Sequence, residues 1–160
     1  MANQNLQLYY FGKAYPLEVF RHSDIKKTTL SFKENHFEIS TSEMGQLNLH
    51  PYLMACYSKL LNKPIHEFIR HYQSHFKVKP SKITIEDSAV RLGSCNHKRE
   101  LTFNWQLGMM PTSVLEYVVV HEMCHMVHLN HDRSLWRLVG KLYPDYKAVM
   151  AMIGSEKRPL

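Results

Sequence analysis

Between residues 6 and 41, apolar and polar side chains alternate in short bursts, "LQLYYF", "YPLEVF", "TTLSF" and "HFEIS", with "GK" and "KEN" as turn signals between them. A period of two broken in this way predicts two β-hairpins. From Gly45 to about Val78 the spacing becomes helical: Leu53, Tyr57, Leu60 and Leu61 share one face, and Pro64 opens a second run through Ile65, Phe68, Ile69, Tyr72 and Phe76. Proline suits the first turn of a helix and disrupts its interior, so the stretch predicts a helical pair broken near Asn62. "KPSKITIED" and "AVRLGSCNHKRELTFNWQL" return to strand character, with "NHKRE" as the turn of a hairpin.

Ser113, three residues before Glu116, has the arrangement of a capping box and predicts a helix over about 113–129. Its interior "VLEYVVV" is apolar on nearly every side, so this helix should be buried. Asp132 as N-cap, then Leu135, Trp136, Leu138, Val139 and Leu142 at helical spacing, predicts a covering helix that ends before Pro144. Hairpins (1–43), a helical pair (44–78) and a core of hairpin and two helices (79–160) together read as one α+β domain over 1–160.

Composition supports one domain: 160 residues, 44% hydrophobic, are enough for a full core. No run of 18 apolar residues and no secretory signal pattern is visible, so the expectation is a cytoplasmic protein without a membrane span. Cys56, Cys95 and Cys124 are odd in number and include no C-x-x-C pair, which fits reduced thiols, chiefly small core residues. The formal charge of +6 is concentrated over 59–100, where nine basic side chains face four acidic ones. Such a surface could favour an anionic partner, including nucleic acid, although no nucleic-acid module accompanies it and a solvated basic face explains it as well.

The chemistry is concentrated in "VVVHEMCHMVHLNH", residues 118–131. At 100° and about 1.5 Å per residue, His121 and His125 share a helix face roughly 6 Å apart along the axis, so both imidazoles can converge on one ion. Glu122 lies on the same flank, where a carboxylate can reach water at that ion without ligating it. Chance gives this H-E-x-x-H pattern in roughly 5% of such chains, so context must corroborate it. Burial is that context, because unpartnered polar groups inside a greasy helix are costly and a ligated metal removes the cost.

For a third ligand, His128 shares the face but lies about 7–8 Å along the axis from the midpoint of the pair. His131 follows Asn130, a residue that tolerates the left-handed conformation ending helices, and can approach from outside if the chain turns back there. The expected set is His121, His125 and His131 with water as the fourth ligand. His128 is then an outer or surface histidine, and Cys124, about 100° round from His125, faces away. "HYQSH" also spaces His71 and His75 by four but lacks the carboxylate and a third ligand, so it reads as an exposed helix face. Three neutral imidazoles and an open position suit one catalytic zinc per chain, since structural zinc takes four protein ligands. Zinc makes hydroxide available at neutral pH, and Glu122 is the expected catalytic base, passing the proton to the leaving amine.

"RLGSC" (91–95), "LTFNWQL" (101–107), "YVVVHEMCHMVHLNH" (117–131) and "LWRLVGKLYPDYK" (135–147) resemble the YgjP-like metallopeptidase domain, a family related to the SprT-like zinc proteases. The resemblance is specific over about 78–150 and looser before it. It implies a zincin-like fold in which the H-E-x-x-H helix packs under a small antiparallel sheet, zinc as cofactor, and a peptide or protein substrate. Motif by motif, it implies His121, His125 and His131 as metal ligands and Glu122 as the catalytic residue. The family's Trp-Gly-Ser-Cys motif falls on Leu92, Gly93, Ser94 and Cys95, where loss of the tryptophan would remove an aromatic wall and alter substrate fit. By analogy with zincins, strand 101–107 is the candidate edge for an extended substrate, which makes Asn104 and Trp105, with Gly93 and Ser94, candidate substrate-binding residues. Taken singly, Phe103, Trp105 and Trp136 read as core.

Other functions compete. The same hydroxide could split a phosphoanhydride in a nucleotide, helped by the positive charge, although no glycine-rich phosphate loop is visible. A protease of nucleic-acid-associated proteins would match the SprT-like relatives but lacks a visible DNA-binding segment. A non-enzymatic module with a structural metal would unfold when the metal is removed. A monomer is the default expectation.

Overall fold

In the computed structural model, which describes residues 6–154, the alternating bursts become strands β1 (Gln7–Tyr10), β2 (Lys13–Arg21), β3 (Thr29–Lys33) and β4 (His36–Thr41). Both expected hairpins form, β1 with β2 and β3 with β4. The first closes over Phe11 and Gly12, both at positive φ (45° and 80°), the combination that lets a two-residue turn follow the strand twist. In addition β2 and β4 pair in parallel, which joins the hairpins into one sheet of order β1-β2-β4-β3. Phe37, Ile39 and Thr41 of β4 are buried while His36, Glu38 and Ser40 between them are half-buried, the alternation of a sheet with one face on a core.

The expected helical pair is a single helix. α1 runs His50–Tyr72 straight through Pro64. Tyr57, Leu61, Ile65, Ile69 and Tyr72 form one buried stripe across that position. Each large apolar side chain so buried contributes about 1.5–3 kcal/mol. Together they outweigh the roughly 3 kcal/mol that an internal proline costs.

The second sheet consists of β5 (Lys82–Glu86), β6 (Gly93–Cys95) and β7 (Glu100–Asn104) in the order β5-β7-β6. β5 runs parallel and β6 antiparallel to β7, so the sheet is mixed and not antiparallel throughout as expected, because only β6 and β7 are joined as a hairpin. The expected turn after β6 is fixed by Asn96, whose Oδ1 accepts from the N–H groups of Lys98 and Glu100, each at 3.0 Å. β7 is therefore a middle strand, and the expectation that 101–107 offers a free edge is corrected by this order. The strand also stops at Asn104, and residues 105–109 form a 3-10 turn.

α2 (Thr112–His125) lies at the centre, with Leu115 and every residue from Tyr117 to His125 buried. It departs from expectation at both ends. Pro111 is the N-cap and no side chain caps it, so the Ser113–Glu116 box does not form; the Glu116 carboxylate instead accepts from Tyr72 Oη at 2.6 Å. The helix also stops at His125 rather than near 129. α3 (Arg133–Leu142) is capped as expected, Asp132 accepting from the Leu135 N–H at 3.1 Å. A further helix not anticipated from the sequence, α4 (Tyr146–Gly154), buries Val149 and Ile153. The main core gathers around α2, and a smaller one joins Phe37, Cys56, Tyr57 and Trp105 under the first sheet. Cys56, Cys95 and Cys124 are free thiols, and no helix among the described residues is long and apolar enough to cross a membrane.

Candidate metal centre and cleft

The end of α2 at His125 decides the site. The chain leaves the helix through bonds from the Met126, Val127 and His128 N–H groups to the last-turn carbonyls, then turns back so that His131 faces the helix. The Nε2 atoms of His121 and His125 are 3.1 Å apart, and each is 3.3 Å from Nε2 of His131. Nitrogens held about 2.0–2.1 Å from one ion at tetrahedral angles stand roughly 3.3–3.4 Å from one another, so this triangle has the size a zinc ion requires. Three ring nitrogens aimed at one point cannot satisfy each other by hydrogen bonds, whereas one cation satisfies all three. Among the described residues this is the one group of three or more His, Cys, Asp or Glu side chains that could hold a metal. His71 and His75 stay exposed.

The far nitrogens orient the rings. His125 Nδ1 donates to the backbone carbonyl of His128 at 2.9 Å, and His121 Nδ1 lies 3.0 Å from Tyr117 Oη. Such outer partners fix tautomer and ring angle in metal sites. Trp136 stands against two of the rings, with centroids 5.5 Å from His121 and 5.9 Å from His131. Burial, reinforced by His125 and His131, pushes His121 down to about 3, and burial also lowers His125. Both imidazoles are therefore neutral at physiological pH, with lone pairs free for a cation.

Glu122 sits beside them, 1% exposed, and its Oε1 has no hydrogen-bond partner. Burial pushes its carboxyl up to about 8, against a smaller opposite pull from Arg91. The carboxylate opens on a cleft of about 310 Å³ shared with His125 and His131. Gly93, Ser94 and Cys95 form one wall, Leu129 contributes from the loop after α2, and Val90 and Arg91 lie at one end. β6 is an edge strand of its sheet, the one on the cleft side. Its neighbours Leu92 and Asn96 bond to Asn104 and Glu100 of β7, so alternation turns the backbone N–H and C=O of Gly93 and Cys95 outward.

The structure brings Glu122, His125, His131, Gly93 and Ser94 to this cleft and His121 to the triangle beside it, but not Asn104 or Trp105. Asn104 is 1% exposed and works behind the wall, donating to the carbonyls of Ser88 (2.7 Å) and Arg91 (2.9 Å) and accepting from the Gln106 N–H. Trp105 is buried, donates to Asp87 at 2.7 Å and stacks on Tyr57. Leu92 is fully buried in the main core, so the missing tryptophan bears on packing rather than on a cleft wall. Sequence reasoning missed Tyr117, although its position one turn before His121 was a usable signal. It also missed the His128 carbonyl, which no side-chain pattern can reveal.

A buried helix carrying H-E-x-x-H, a third imidazole from the loop beyond it and a small sheet alongside make this a zincin-type metallopeptidase fold. The chain belongs to the YgjP-like, metallopeptidase domain family, whose model matches residues 2–153. Among solved structures it is similar to the metallopeptidase zymogen abylysin of Pyrococcus abyssi, at 19% identity and a TM-score of 0.54, over 60% of this chain and 98% of that one. At that identity the likeness is one of fold. No curated protein matches the chain.

Proposed function

We propose that this chain is a zinc-dependent peptidase, its zinc held by His121, His125 and His131 and its general base Glu122. The observation that carries the reading is the triangle of Nε2 atoms, 3.1, 3.3 and 3.3 Å on a side, beside a buried carboxylate with an unpartnered oxygen. When bound there, zinc supplies Lewis acidity toward water and toward a peptide carbonyl. Tyr117 and the His128 carbonyl hold the imidazoles in register. Beside a cation held by the three rings, which opposes the upward push of burial, the Glu122 carboxyl stays ionised, takes the proton of the attacking water at its free Oε1 and returns it to the departing amine. Gly93 and Cys95 offer an extended peptide the outward backbone groups of β6, so the substrate edge is assigned to 93–95 instead of 101–107.

The test is mass spectrometry of the products formed when zinc-loaded protein meets a mixed pool of peptides and nucleoside triphosphates, with Glu122→Gln as the blank. New peptide ends that vanish in the variant are expected. Nucleoside monophosphate and pyrophosphate without new peptide ends would overturn the peptidase reading in favour of phosphoanhydride hydrolysis.

A further inference from the structure

Both ends of the rim strand β6 are cationic. At its start, Arg91 is exposed and lines the cleft, and the carboxylate nearest its guanidinium is Glu86, 4.0 Å from Nε and only at the margin of an ion pair. At its end, the turn pinned by Asn96 exposes Lys98 and Arg99. Ser81 clasps that turn, its N–H donating to the Arg99 carbonyl at 2.9 Å and its hydroxyl to that of Lys98. The clasp brings exposed Lys79 and Lys82 alongside, and Lys82 lies opposite Glu100 in the β5–β7 register. Glu100 is half-buried, and its carboxylate takes a hydrogen bond from Asn96 at 2.6 Å. Among the described residues, the lysines and arginines in ion pairs are Lys33, Lys63 and Arg91. The four cations at the far end therefore make no ion pair among these residues and are exposed. Leu129, 55% exposed, lines the cleft from the loop after α2, and Val90, 65% exposed, lines it beside Arg91.

We propose that the cleft selects extended polypeptide segments that carry acidic residues on both sides of an apolar one. The proposal rests on the peptidase reading and names its substrate class. A strand added to Gly93 and Cys95 advances about 3.3 Å per residue, so within a few residues of the reacting bond it passes Arg91 on one side and the Lys98–Arg99 turn on the other. Carboxylates there meet Arg91, held by Glu86 only at 4.0 Å, and a turn whose cations make no ion pair, and lysines there meet like charge. An apolar side chain between them covers Leu129. Charges arranged in this way act mainly on partner choice and encounter rate, and because all of them are exposed their effect fades with salt.

The test uses the full zinc-loaded chain and three peptides with one apolar centre, flanked by Glu, by Gln or by Lys. Binding is read by fluorescence anisotropy on the Glu122→Gln protein and cleavage on the wild type. The Glu peptide is expected to bind roughly tenfold more tightly than the Gln peptide at low salt, the scale of a few exposed ion pairs, and the Lys peptide most weakly. The gap should close at 0.5 M salt, roughly, where screening is nearly complete. Arg91→Glu, and separately the double variant Lys98→Glu with Arg99→Glu, should reverse the order while melting temperatures stay near wild type. Equal binding of the Glu and Gln peptides, or an order unmoved by charge reversal, would overturn the proposal. So would a single-stranded oligonucleotide that displaces the Glu peptide more readily than the Glu peptide itself does. Cleavage of all three peptides at equal rates would sink the selectivity and leave the peptidase standing. Selective binding of the Glu peptide with no peptide cut would support the selectivity and remove the peptidase.

Discussion

Gly93 is the point where the edge strand, the central helix and the carboxylate meet. A Cβ at this position would lie 2.9 Å from Val118 Cγ1 and 3.0 Å from both Cγ and Oε1 of Glu122, closer than packed atoms come. Gly93→Ala must therefore push α2 off the sheet or turn Glu122 aside. It should cost about 1–3 kcal/mol in denaturant unfolding, the usual scale of overpacking, and lower kcat, whereas Gly45→Ala, with nothing within 4 Å, should do neither. The histidines allow a sharper comparison. His131→Ala removes a ring from the triangle and should weaken zinc binding by more than the roughly 10–100-fold that loss of an orienting partner costs, measured by competition with a chromophoric chelator. His128→Ala should leave the affinity near wild type, because that residue contributes its backbone carbonyl. Equal losses at the two positions would mean that the ligand set is wrong. The spacing of His121, Glu122 and His125 was legible because a helix turn is local, and Asn130 hinted at the return of His131. The burial of Leu92 was not legible, because the face a β6 residue turns inward depends on where α2 packs.

At the scale of elements, the readings that failed are those decided by partners distant in sequence. Analogy with zincins makes strand 101–107 an edge, but 82–86 pairs with it on the side opposite 93–95, and only the assembled sheet shows β7 between two neighbours. Pro64 looked like a break because the buried stripe that carries α1 through it needs a core to pack on. The Ser113–Glu116 box lost Glu116 to Tyr72, a hydroxyl from another helix. Asp132 was readable because its cap bond closes within three residues. That cap also has a consequence for the site, since α3 holds Trp136 against His121 and His131. Asp132→Ala should cost about 1 kcal/mol and lower the melting temperature by roughly 2–4 °C. Because the rings then lose part of their support, zinc should also dissociate faster in a chelator chase; an unchanged off-rate would mean that Trp136 does not brace the centre.

For the whole molecule, α1 settles how the parts unfold. Leu61, Ile65, Ile69 and Tyr72 belong to the core around α2, while Cys56 and Tyr57 of the same helix belong to the core under the first sheet. The first hairpin is tied to the 105–109 turn through bonds from the Phe11 and Gly12 N–H groups to the carbonyls of Gly108 and Met109. Neither core can melt without exposing part of α1, so heating should give a single transition in which far-ultraviolet and tryptophan signals coincide. Removing the metal separates a catalytic ion from a structural one on the same grounds. The main core is made of apolar side chains other than the three rings, one of which, His131, is already exposed. A zinc finger collapses without its ion because the ion replaces a core, and this chain has two cores. Chelation should therefore abolish hydrolysis while the far-ultraviolet spectrum and the single transition persist. Zinc at about a hundred times its dissociation constant adds roughly 2.7 kcal/mol, so the melting temperature should fall by about 5–10 °C on its removal. Unfolding of the chelated protein at room temperature would instead make the ion structural, and the cleft beside Glu122 would need another explanation.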